Sequence, residues 1–151
     1  MKRILLKFLT IESVEIDAVD LEHALRVATA VLLVEVTRAD FSVELSERQR
    51  LRQLLEQQFE LSVEELDALL EQAEADADRL VSIQHITRLI NQHYDHAMKL
   101  RVIQMMWHMV YADGEKDHYE EHLIRQVADL LYISHSEFMQ ARHRAEASGD
   151  L

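Results

Sequence analysis

Tyr111-Ala-Asp-Gly-Glu-Lys-Asp-His-Tyr-Glu-Glu-His122 is the stretch whose reading decides the fold. It follows an apolar run, Leu100 to Val110, at helical spacing, and it holds one of only two glycines in 151 residues. Acidic side chains fall at Asp113, Glu115, Asp117, Glu120 and Glu121. The pattern reads as a helix that ends, a tight acidic turn and a second helix that begins. Gly114 supplies the backbone conformation such a turn requires. Asp117 and Glu120 have the spacing of an N-cap and its capping-box partner. A related stretch stands upstream, Thr37-Arg-Ala-Asp-Phe-Ser-Val-Glu-Leu-Ser-Glu47. There Asp40, Glu44 and Glu47 match Asp113, Asp117 and Glu120 at one offset of 73 residues.

Outward from these turns almost every segment predicts helix. There is no proline to break one, and turn residues for sheet hairpins are nearly absent. Asp17 or Asp20 caps a broadly apolar helix running to about Arg38. Ser46 and Gln49 open the next, with Leu51, Leu54, Leu55 and Phe59 as its stripe. Ser62-Val-Glu-Glu65 is a capping box for a helix through about Ala77. Helices over 80–92 and from His96 to Ala112 follow, with a break at His93-Tyr-Asp95. After the second acidic turn come a helix to about Tyr132 and a last one capped by Ser134 and Glu137. A one-residue slip lays Leu61 to Glu65 on Ile133 to Glu137, so the halves read as an internal duplication about a pseudo-two-fold axis. Seven to eight helices in one compact all-α bundle are expected. Leu32, Leu33, Val102, Ile103 and Trp107 should be buried where the two broad helices cross.

The domain is placed at 17–146, with a frayed tail at 147–151 and fraying expected from Arg142 onward. Residues 1–16 hold a short amphipathic helix over 2–14, apolar at Ile4, Leu5, Phe8, Leu9 and Ile11 and basic at Lys2, Arg3 and Lys7. Docking on the domain or a partner is its expected use, and a weak membrane-surface contact is the alternative. Lys7, Glu12 and Glu15 argue against a signal peptide.

Composition narrows the function. A formal net charge of −12, from 28 acidic and 16 basic residues, disfavours nucleic acid and favours cations or basic protein partners. The absence of cysteine removes thiol nucleophiles and zinc-thiolate sites, and it suits a cytoplasmic location.

At the Tyr111 to Glu120 motif, its degenerate first copy at 39–47 and the helical duplication, the chain resembles the TerB (tellurite-resistance protein B) family and its TerB-like superfamily. That resemblance implies a compact all-α domain with acidic residues proposed to bind a divalent metal. It also implies a bacterial, non-enzymatic module associated with stress and tellurite resistance, often in membrane-associated complexes. The first copy departs from the pattern, because Phe41-Ser42 stands where the second has its glycine-acid pair.

Carboxylates from both turns, Asp40, Glu44, Glu47, Asp113, Glu115, Asp117 and Glu120, form the candidate metal set. Two carboxylates about 4 Å apart repel by roughly 1 kcal/mol in water and about 4 kcal/mol at an effective dielectric of 20. A hard cation such as Ca²⁺, Mg²⁺ or Mn²⁺ relieves that cost. The plainer alternative is that these residues only cap helices, and the module is then purely structural. The loop is not an EF-hand, since His118 and Ile124 occupy the positions that need glycine and glutamate. His118-Tyr-Glu-Glu-His122 has the H-x-x-E-H order of inverted zinc peptidases, but a solvated helix face accounts for it better. His108, opposite Glu35 in the duplication, is expected to pack between helices, with support of the turn as the alternative.

Overall fold

A computed structural model of the chain describes residues 3–6, 14–39, 45–78, 83–111 and 118–148. Among the described residues seven helices carry the fold: α1 (Ala18–Ala39), α2 (Leu45–Phe59), α3 (Val63–Asp78), α4 (Ile83–His93), α5 (His96–Val110), α6 (His118–Leu130) and α7 (His135–Ser148). Strands β1 (Arg3–Leu6) and β2 (Val14–Asp17) precede them as an antiparallel pair, with Ile4 opposite Ile16.

At residues 3–6 and 14 strand replaces the amphipathic helix expected over residues 2–14, and the rest of that expected helix lies outside the described residues. Val14-Glu-Ile-Asp17 alternates apolar and acidic residues at period two, the strand period. No helix among the described residues is long and apolar enough to cross a membrane.

Helices α1 and α5 are the spine. They pack on each other, α3 lies along α1, and α7 lies along α5. Leu32, Leu33, Val102, Ile103 and Trp107 are all fully buried, as the apolar breadth of both helices predicts. The core is closed by Leu54 and Leu55 of α2, Leu66 and Leu69 of α3, Leu89 and Ile90 of α4, Ile124 of α6 and Phe138 of α7. Two threonines inside α1 keep their hydroxyls satisfied within it. Thr29 donates to the Leu25 carbonyl at 2.9 Å, and Thr37 donates to that of Val34 at 2.6 Å.

Side-chain oxygens start the helices where the sequence places capping residues. The Asp95 carboxylate accepts from the Met98 N–H at 2.8 Å and opens α5. In the Ser62 box, the hydroxyl accepts from the Glu65 N–H at 3.2 Å, and the glutamate accepts from the Ser62 N–H at 3.1 Å. Ser134 and Glu137 repeat that exchange at the same two distances. Two residues before each box stands a non-glycine residue at positive φ, Glu60 at 53° and Tyr132 at 60°. The α2–α3 and α6–α7 junctions therefore share turn, buried apolar residue and box.

Two boundaries differ from expectation. Ser46 lies inside α2, which begins at Leu45, so the capping start expected at that serine is displaced. The chain does not fray from Arg142, because α7 runs to Ser148 and Ala145 is fully buried on it. Small alanines at 141 and 145 let α7 lie close along α5, a weaker pattern than a leucine stripe.

Candidate cation site and the side chains that flank it

The second acidic turn leaves α5 at Tyr111 and enters α6 at His118, directly after Asp117. Tyr111 ends α5, its N–H bonding back to the carbonyls of Met109 and Trp107. Its ring lies 6.1 Å from that of Trp107, nearly parallel, and Trp107 in turn meets Phe138 of α7 at 5.3 Å. The Arg142 guanidinium covers the Trp107 ring at 5.4 Å from its centroid. Its Nε donates to the Tyr111 hydroxyl at 3.2 Å, and its Nη1 stands 3.6 Å from the Glu121 carboxylate. Arg125 approaches Glu121 at 4.0 Å and lies over Phe138 at 4.7 Å. Arg142 thus ties the residue that caps α5 to the first turn of α6 and is pushed toward its charged form, first by the Tyr111 hydrogen bond.

His108 sits one turn before Tyr111 and is buried. Burial first, then the nearby Arg101 and Arg50 guanidiniums, push its imidazole down to about 4. It is therefore neutral at physiological pH and packs between helices, as expected. Glu35, its counterpart in the first half, is raised by burial, with Arg38 opposing. Beyond the helix break His96 is exposed and bonds Glu137 Oε2 at 2.6 Å through Nε2. That contact, with the two Ser134 bonds behind it, holds the Glu137 carboxyl down to about 2.

Five of the candidate ligands, Asp40, Glu44, Asp113, Glu115 and Asp117, lie outside the described residues. Glu47 and Glu120 occupy the first turns of α2 and α6, with side chains outside the description. Among the described residues no group of three or more histidines, aspartates or glutamates is placed to hold a metal ion. His118 begins α6, and His122 is exposed on the same helix. The Tyr111–Arg142–Glu121 tie was not foreseen; only the Glu121–Arg125 pair, four residues apart, has a local signature.

A family model described as tellurite resistance protein TerB matches residues 26–143, more than three quarters of the chain. The chain belongs to the TerB family. The match spans α2 to α6, most of α1 and α7, and both acidic turns; the β1–β2 pair lies before it. No curated protein and no solved structure matches the chain.

Proposed function

We propose that this TerB-family protein is a non-enzymatic, divalent-cation-binding module of the cytoplasm, working through a protein partner in a stress- or tellurite-resistance-type complex. The recurrence of Asp40, Glu44 and Glu47 as Asp113, Asp117 and Glu120 carries this reading. Family membership and the packing of α1 on α5, the helices that lead into the two turns, support it. A pseudo-two-fold arrangement of the halves would place these six carboxylates in one cluster with Glu115. Such an oxygen-only donor set favours Ca²⁺, Mg²⁺ or Mn²⁺ over zinc.

A second reading has its own observation. The chain makes reciprocal caps at Ser62–Glu65 and Ser134–Glu137. Asp117 with Glu120 has the same spacing, so acidic turns that only cap helices describe a purely structural interaction domain. Melting at low ionic strength separates the two. Cation binding at 100 times Kd adds about 2.7 kcal/mol of stability, whereas caps alone give no shift. Asp113→Asn with Asp117→Asn should abolish the shift and keep helix content, because asparagine still caps.

A further inference from the structure

A groove of about 380 Å³ lies between one face of α4 and the end of α6. Gln84, Thr87, Arg88, Asn91 and Gln92 recur along α4 at helical spacing, and Leu130 and Tyr132 form the opposite wall. Among the described residues no carboxylate lines it, in a chain with 28 acidic residues. Its volume falls within the range of small-ligand sites, roughly 300–1,000 Å³.

Three observations set its chemistry. Arg88 is exposed and, among the described residues, has no ion-pair or hydrogen-bond partner. Tyr132 is 78% exposed, one of two large hydrophobic side chains so displayed among the described residues. Its positive φ of 60° holds it there against the usual preference of a residue with a Cβ. Lys99 adds a second cation 5.9 Å from the ring centroid.

The wall at α6 is also neutralised. A helix C-terminus ordinarily presents bare carbonyls that repel anions. Here Val127, Ala128 and Asp129 accept from the N–H groups of Leu131, Ile133 and Tyr132 at 2.9, 2.9 and 3.1 Å. The Leu130 carbonyl accepts from the Asn91 side-chain amide at 2.8 Å, which also ties the two walls together. Thr87 spends its hydroxyl on the carbonyls of Ile83 and Gln84. What remains among the described residues is a groove with the Arg88 guanidinium, the Gln92 amide and an aromatic face.

We propose that this groove binds a small organic anion bearing a flat ring. Its carboxylate or phosphate pairs with the Arg88 fork, and its ring lies on Tyr132. The Gln92 amide then faces the polar edge of the ring.

Amide-proton spectra of the full chain, titrated at constant ionic strength without divalent cations, test this with adenosine monophosphate, benzoate and inorganic phosphate. Shifts confined to residues 84–92 and 130–132 are expected for the ring-bearing anions, with inorganic phosphate about tenfold weaker. A response to adenosine monophosphate alone or to benzoate alone assigns the anion as phosphate or carboxylate. Arg88→Gln should weaken binding about tenfold or more. Tyr132→Gly relieves the backbone and removes the ring, so it should bind the ring-bearing anions no better than phosphate. Shifts absent to about 10 mM, scattered over the surface, or unchanged in Arg88→Gln overturn the proposal.

Discussion

The α2–α3 and α6–α7 junctions are nearly interchangeable, whereas the surroundings of the two acidic turns are not. At each junction a positive-φ residue, Glu60 or Tyr132, precedes a buried Leu61 or Ile133 and a reciprocal Ser–Glu box. A cation from the first helix of each half also covers an aromatic ring there, Arg26 over Phe59 and Lys99 over Tyr132. Beside the turns the likeness ends. Trp107, Tyr111, Glu121 and Arg142 correspond in the first half to Val34, Arg38, Arg48 and Leu70. The junctions repeat because backbone geometry and caps admit few solutions, and the side chains that flank the turns diverge where nothing in the fold demands that they match.

The largest effect should come from the aromatic centre that, among the described residues, only the second half has. Trp107→Ala is expected to cost about 3–5 kcal/mol in chemical denaturation, as large core truncations do. Val34→Ala, its counterpart, should cost less, about 1.5–3 kcal/mol. Equal losses would remove the asymmetry.

Arg142→Met keeps apolar cover on Trp107 and deletes the bonds to Tyr111 and Glu121. We expect a loss of about 1–2 kcal/mol. A double-mutant cycle with Glu121→Gln should show coupling between the two residues. Additive losses would mean that the Arg142–Glu121 pair contributes nothing and that Arg142 acts through Tyr111 and its packing on Trp107.

The junctions should answer alike. Ser62→Ala and Ser134→Ala are each expected to cost about 1 kcal/mol. Acid should separate them. The folded Glu137 carboxyl is held down to about 2 against an ordinary 4.5, chiefly by His96; Glu65 is lowered by its Ser62 bonds. A depressed folded value means stability that is complete above the unfolded value and lost as pH falls through the folded one. Glu137→Gln should therefore flatten the stability profile between about 4.5 and 2 more than Glu65→Gln does. The reverse order would assign the lowering to the serine box and not to His96.

These contrasts also explain what the sequence exposes. Helices with broad apolar faces and Ser-x-x-Glu starts announce themselves locally, so α1, α3, α5 and the Trp107 core are legible. The β1–β2 pair is not, because four residues of period-two alternation in Val14–Asp17 compete with apolar spacing over Ile4 to Ile11 that also fits a helix. The run of α7 past Arg142 is hidden because alanines, not leucines, form its buried face. Arg142, Tyr111 and Glu121 meet from three different helices, and no short-range spacing records such a contact. The metal set was legible as spacing and family motif, while its geometry falls in turns outside the described residues.

Calorimetric titration of Ca²⁺ into the full chain tests the central claim, with Asp113→Asn/Asp117→Asn and Asp40→Asn/Glu44→Gln beside the wild type. We predict saturable binding to the wild type, none to the second-turn variant, and weakened binding to the first-turn variant, whose turn lacks the glycine-acid pair. No heat of binding in the wild type, or binding that survives loss of Asp113 and Asp117, would contradict the account.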